Sequence, residues 1–273
     1  MISLDGKKLS GKILNNLKKE IKRRQLKLKL AVVLVGSDSA SLSFIKKKQA
    51  AAKRISVGFS LYRFGESIAP GRLKEEVKKI VKNSDNSGVV IQLPLPENIN
   101  TKEILNIVCE RKDADVLSEK SFKKFASGRS FVSPPTVGAI LYLLKEYKIR
   151  LKGKYVVLVG AGRLVGKPLA AWLKLQGVKF SMLDKSTQDI SLFTKKADII
   201  ISGVGKSNLI KKDMVSDGVI VFDAGTTKKN GKTVGDVDFG SVSKKASYIT
   251  PVVGGVGPMT VACLLENLVK INE

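Results

Sequence analysis

Tyr155-Val156-Val157-Leu158-Val159-Gly160-Ala161-Gly162-Arg163-Leu164-Val165-Gly166-Lys167-Pro168 opens with an uncharged apolar run and continues into a glycine-rich corner. The first five residues have the pattern of a strand buried on both faces. Glycines at the corner let the backbone approach a pyrophosphate. A helix starting there offers free N–H groups and the positive end of its dipole. Pro168 suits the first helical turn, where no amide donor is required. The glycine spacing is one residue longer than the commonest dinucleotide fingerprint, so alone it competes with an ordinary tight turn.

The next apolar run, Lys179 to Leu183, strengthens the reading. It ends in Asp184, about twenty residues after the loop, where a ribose-binding acid is expected. A carboxylate there accepts ribose hydroxyls and repels the extra phosphate of NADP, which favours NAD. Arg163 and Lys185 argue the other way, since either side chain can reach a 2'-phosphate, and Asp184 can instead pair with a neighbouring lysine. Both NAD and NADP stay open.

Outward from this corner the chain keeps one rhythm. Before it, Leu30–Val35, Phe59–Phe64 and Val89–Leu95 read as strands, alternating with amphipathic runs at Leu42–Ile55, Leu73–Val81 and Ile104–Val108. After it, Phe180–Leu183, Ile199–Ser202, Val219–Phe222 and Tyr248–Ile249 read as strands. This is the pattern of parallel sheets covered by helices, here two α/β domains joined near residues 130–150. Ser133-Pro134-Pro135-Thr136 suits the join, because two prolines cannot continue a ladder. A helix from about Thr260 to Ile271 closes the chain, with Ala262, Leu265, Leu268 and Val269 as its apolar face.

Composition excludes several classes. No run approaches the roughly 18 to 20 apolar residues of a membrane helix, and the charged first 25 residues have no signal core. The expectation is a cytoplasmic protein with no membrane partner. Two cysteines, Cys109 and Cys263, stand at no metal-ligand spacing, and histidine is absent. No metal is expected, and acid–base chemistry falls to lysine, carboxylate, tyrosine or water. The net charge of +25 invites a nucleic-acid reading. The charges are dispersed, lysine-rich and not interleaved with stacking aromatics, which favours a solvated surface and no nucleic-acid partner.

Three segments converge on one family: Val90-Ile91-Gln92-Leu93-Pro94-Leu95-Pro96, the loop 160–168, and Thr250-Pro251-Val252-Val253-Gly254-Gly255-Val256-Gly257-Pro258-Met259-Thr260. Together they resemble the bifunctional methylenetetrahydrofolate dehydrogenase/methenyltetrahydrofolate cyclohydrolase family, nearly end to end. The resemblance implies an N-terminal three-layer α/β catalytic domain, residues 1–136, with the C-terminal helix 258–273 packing back on it. It implies a Rossmann-type dinucleotide-binding domain over 137–257, a homodimer, and tetrahydrofolate derivatives as ligands. The implied reaction is oxidation of 5,10-methylenetetrahydrofolate with NAD(P)+, NADP being the family's usual cofactor, then hydrolysis to 10-formyltetrahydrofolate.

The resemblance assigns catalysis to Lys48, Gln92 and Asp115. Read without it, Lys48 is one of three consecutive surface lysines, Gln92 a loop-capping amide, and Asp115 a solvated turn residue beside Asp113. A lysine works near neutral pH only if burial or positive neighbours lower its pKa, and Lys46 and Lys47 are adjacent in sequence. Phe44, Ile91, Leu93, Gly254, Gly255, Gly257, Pro258 and Thr260 are expected to contact substrate. Gly160, Ala161, Gly162, Arg163, Val165, Gly166, Asp184, Lys185, Val204, Gly205 and Thr226 form the expected cofactor set.

Several positions depart from the family. Phe44 stands for tyrosine, keeping the ring and losing the hydroxyl. Val116 stands for the glycine after the aspartate, Val253 for a loop proline, and Val137 for an interdomain proline. Gly162 and Asp184 stand where serine and histidine are common. Val116 displaces Asp115 if the position demands a positive φ. The competing functions are a dehydrogenase without cyclohydrolase activity, an inactive folate- or dinucleotide-binding protein, and a nucleic-acid binder.

Overall fold

In the first half of the chain β1 (Ile2–Ser3), α1 (Gly6–Arg23), β2 (Lys29–Val35), α2 (Ser39–Arg54), β3 (Gly58–Phe64) and α3 (Pro70–Lys82) follow one another. Then come β4 (Gly88–Ile91), α4 (Thr101–Leu105), α5 (Glu119–Ala126) and α6 (Pro135–Glu146). The second half runs β5 (Val156–Val159), α7 (Gly166–Leu175), β6 (Phe180–Leu183), α8 (Ser191–Thr194), β7 (Ile199–Ser202) and β8 (Ile220–Asp223). It ends with β9 (Thr227–Lys229), β10 (Lys232–Val234), α9 (Phe239–Val242), β11 (Tyr248–Ile249) and α10 (Val256–Lys270). This computed structural model describes residues 1–229 and 232–273. The chain forms two units, one of residues 11–135 with 261–273, the other of residues 1–10 with 136–260.

The first unit is built on three parallel strands in the order β3-β2-β4. Every residue of β2 after Lys29 is buried, as its unbroken apolar run demands. Alternate residues Ala31, Val33 and Val35 meet Leu73, Val77 and Ile80 of α3 and Ile104 and Leu105 of α4 in one core. Each large side chain there contributes about 1.5–3 kcal/mol. The later part of α10 belongs to this unit, and Asn267 Nδ2 donates to the carbonyls of Ala114 and Ser133, 2.9 and 2.7 Å away.

The second unit holds six strands, all paired in parallel, in the order β1-β11-β8-β7-β5-β6. β6 follows β5 on one side and β7 lies on the other, so the winding reverses at β5. Ligand crevices in open parallel sheets form at such a reversal, beyond the C-terminal strand ends. The corner after Val159 lies there.

Three expectations need correction. Residues 135–146, read as part of the join, form α6, with Val137, Ala139, Ile140, Leu143 and Leu144 buried at helical spacing and Pro135 in its first turn. The strand expected over 89–95 stops at Ile91, before the cis Leu93–Pro94 bond. The last helix starts at Val256, so Gly257 and Pro258 are helical. Its expected apolar face is buried. Among the described residues, no helix is long and apolar enough to cross a membrane.

Candidate active site

Within the first unit, α2 places Phe44 and Lys48 on one side, between the buried Ser41, Ile45 and Ala52. Lys46 and Lys47 point outward and are exposed, whereas Lys48 is half-buried. Its Nζ donates to Gln92 Oε1 at 3.1 Å. Gln92 follows the end of β4, is buried, and donates its Nε2 to the Leu93 carbonyl at 2.9 Å. The amide therefore caps the local loop and orients the lysine together. Lys47 lies over the Phe44 ring, 5.3 Å from its centroid.

Loss of hydration lowers the pKa of Lys48, and the nearby Asp115 carboxylate opposes that shift. Burial, and not the neighbouring lysines, is the cause. Burial likewise raises Asp115 above the usual carboxylate range, partly offset by Lys48 and reinforced by Asp113. Asp113 is no solvated turn residue: it is 3% exposed, and its carboxylate accepts the backbone N–H groups of Leu117 and Ser118 at 3.1 and 2.9 Å. Lys48, Gln92 and Asp115 thus form one desolvated acid–base cluster.

Val116, in the tight turn just after Asp115, has φ +56° and is 1% exposed. The position does require the left-handed region, yet Asp115 keeps its place beside Lys48 because Asp113 ties down both following amides. A β-branched residue is strained there by about 1–2 kcal/mol, against about 0.5–1 kcal/mol of extra chain entropy for glycine. Val116→Gly relieves that strain but gives up a buried valine side chain, which contributes about 1.5–3 kcal/mol, so a net loss of only about 1–2 kcal/mol is expected. A loss above about 3 kcal/mol in urea unfolding would contradict the strain.

Among expected substrate contacts, Ile91 is corrected: it is 2% exposed and packs in the core with Val33 and Val89, so its side chain supports the strand. Leu93 is half-buried, and its carbonyl also accepts from Ser41 Oγ at 3.3 Å. Gly254, Gly255, Gly257, Pro258 and Thr260 lie in the second unit, from the loop after β11 into the first turns of α10. The Gly254 carbonyl accepts from Lys7 N–H at 2.7 Å, and Thr260 Oγ1 donates to the Gly257 carbonyl at 2.7 Å.

The expected cofactor residues gather at the C-terminal ends of β5, β6, β7 and β8. A Cβ on Gly166 would overlap the Gly160 carbonyl, so the start of α7 lies hard against the corner. Val165 precedes α7 without a side-chain cap; in the first turn Lys167 N–H donates to the Gly162 carbonyl at 3.0 Å and Pro168 has no N–H to satisfy. Gly160 N–H donates to the Leu183 carbonyl at 2.9 Å, which places Asp184 next to the corner. Ala161 and Val165 are half-buried; Gly162, Arg163, Asp184 and Lys185 are exposed. Val204 flanks Gly160, and the Gly205 carbonyl accepts from Thr227 Oγ1, which brings Thr226 alongside. The Ser186 hydroxyl and amide, 2.6 and 2.9 Å from Asp184 Oδ1, hold its carboxyl below the usual range. Asp184 thus engages Ser186 and not a lysine.

Sequence reading missed the polar groups beneath these loops. Asp236 is fully buried and accepts from Ser202 Oγ and from the N–H groups of Val204, Gly205 and Lys206. Asp223 is also buried, and desolvation pushes its carboxyl up to about 6. The local signal was only an aspartate between glycine and valine in Gly235-Asp236-Val237.

This arrangement has close parallels. The family model for the tetrahydrofolate dehydrogenase/cyclohydrolase catalytic domain matches residues 4–115, and that for the NAD(P)-binding domain of the same family matches residues 134–273. The bifunctional protein FolD of Nautilia profundicola is 46% identical, with 99% of this chain and 96% of that protein covered. The crystal structure of the bifunctional enzyme FolD from Campylobacter jejuni superposes with a TM-score of 0.93 at 41% identity, covering 99% and 98% of the two chains. The Trypanosoma brucei enzyme, solved with NADP cofactor and inhibitor, gives 0.93 at 28% identity, covering 99% and 97%. With both domain models matched in order and full-length identity of this size, the chain belongs to the tetrahydrofolate dehydrogenase/cyclohydrolase family.

Proposed function

We propose that this protein oxidises 5,10-methylenetetrahydrofolate to the methenyl form with a nicotinamide dinucleotide and then hydrolyses it to 10-formyltetrahydrofolate, acting as a cytoplasmic homodimer. The observation that carries the reading is the Lys48–Gln92 bond of 3.1 Å beside Asp115. A bound dinucleotide supplies the hydride acceptor, and the protein's task in that step is alignment. The dinucleotide fits the corner at 160–166: no side chain caps the start of α7, and the Gly160–Gly166 contact leaves no room for a side chain where a pyrophosphate approaches.

In the hydrolytic step, water adds to the methenyl carbon and its proton passes to neutral Lys48. The resulting ammonium returns that proton to the ring nitrogen as the carbon–nitrogen bond breaks. A lysine with a lowered pKa can do both near neutral pH. Gln92 aims the Nζ, and Asp115 accepts hydrogen bonds from the pterin. Phe44 supplies a face for the aminobenzoyl ring without a hydroxyl.

NAD is the cofactor we infer, because the Asp184 carboxylate, kept ionised by Ser186, opposes a 2'-phosphate. Asp184→Ser is expected to shift the NADP-to-NAD ratio of kcat/KM by about tenfold, about 1.4 kcal/mol, toward NADP. Steady-state kinetics with both cofactors measures it. A ratio that does not move would leave Arg163 and Lys185 in control and overturn the assignment.

A further inference from the structure

The C-terminal ends of β7, β8 and β11, neighbours in the sheet, are tied by one buried polar chain. At β7, Ser202 Oγ donates to Asp236 Oδ2 at 2.7 Å. The same carboxylate accepts the Val204, Gly205 and Lys206 amides at 2.6, 2.8 and 2.9 Å, three consecutive donors of the loop after β7. Asp236 is itself held from β8, since the Asp223 carboxylate accepts the N–H groups of Asp236 and Val237 at 3.2 and 2.9 Å. Asp223 N–H donates in turn to Thr250 Oγ1 at 2.7 Å, at the end of β11. Asp236, Ser202 and Thr250 have no solvent exposure.

The fit is tight from both sides. A Cβ on Gly225 would overlap the Asp236 carboxylate, and one on Gly235 would overlap that of Asp223. Among the described residues no cation is bonded to Asp236; its carboxylate accepts from four N–H or O–H dipoles, a costly way to bury a carboxylate. Neither a strand end nor a turn needs such a group. Its effect is to fix three successive amides, so that Val204 and Gly205 present one surface beside the glycine corner.

We propose that Asp236 is a positioning residue for the dinucleotide, shaping the Val204–Lys206 loop against which the cofactor lies. This rests on the reading that the second unit binds a nicotinamide dinucleotide. The test is Asp236→Asn, nearly isosteric, in which an NH2 group replaces one of the two acceptor oxygens and faces backbone donors. Dinucleotide Kd by titration calorimetry and KM for both substrates are measured beside hydrolysis of supplied methenyltetrahydrofolate, a step that uses no dinucleotide.

The expected result is a Kd and KM for the dinucleotide raised at least tenfold, with folate KM and hydrolysis within twofold of the parent. A purely structural role would instead lower kcat of both reactions together through the active fraction and leave dinucleotide KM unmoved, which overturns the proposal. If Asp236→Asn fails to fold, Ser202→Ala removes one donor and should raise dinucleotide KM by twofold to fivefold; no rise overturns the proposal. An unsubstituted protein that binds neither NAD nor NADP refutes the underlying reading instead.

Discussion

Lys48→Met is expected to cut hydrolysis of the methenyl substrate by about 100- to 10,000-fold, the range lost with a positioned general acid–base. Methionine keeps the length and apolar stem of the side chain and removes the amine to which both proton transfers are assigned. Oxidation of the methylene substrate needs alignment alone and should persist, so the methenyl species accumulates in an absorbance trace. In the parent protein, burial lowers the lysine's pKa, so hydrolysis should rise with pH to a plateau reached below the lysine's ordinary value of about 10.4. Neutral Lys48 is the reactive form, which fixes that sign. Hydrolysis within tenfold of the parent in Lys48→Met would move the proton transfer to another group.

Gly166→Ala has the second largest expected effect. The added Cβ overlaps the Gly160 carbonyl, a backbone atom that cannot swing aside as a side-chain tip can. Either the corner keeps its form and the protein loses about 1–3 kcal/mol, or the corner opens and the same energy is taken from binding. In the second case dinucleotide Kd rises about 10- to 100-fold. Thermal unfolding and calorimetric titration together distinguish the two. Parent-like values in both would mean that the start of α7 can shift freely, against the reading of the corner as a rigid phosphate site.

Much of this was legible in the residues. The runs Leu30–Val35, Val156–Val159 and Ile199–Ile201 are unbroken apolar stretches rich in β-branched residues, so burial on both faces left one reading, and the corner after Val159 announced itself through its glycines. Helix α1 was not read, although Leu9, Ile13, Leu17 and Ile21 recur at helical spacing and are buried; the dense lysines between them masked the stripe. Strand β1 has two exposed residues, and only its parallel pairing with β11 makes it a strand.

The site divides in the same way. Phe44 and Lys48 could be placed on one helical face from spacing alone, but nothing local distinguishes Lys48 from exposed Lys46 and Lys47. Its environment is made by Gln92 and Asp115, 44 and 67 residues away in sequence. Asp236 lies further still from local patterns: its importance comes from three amides presented by a loop thirty residues earlier. Val116 was readable as a conflict, a valine where the turn needs φ of +56°, and it is tolerated because Asp113 holds the amides on its far side.

The central claim is that one chain carries both steps. Purified protein mixed with methylenetetrahydrofolate, separately with NAD+ and NADP+, is followed by the absorbance of the methenyl species. The account predicts methenyl formation, faster with NAD+, followed by decay well above the spontaneous rate. Formation followed by decay at only the spontaneous rate would contradict the role given to Lys48, Gln92 and Asp115, and no formation with either cofactor would contradict the account as a whole.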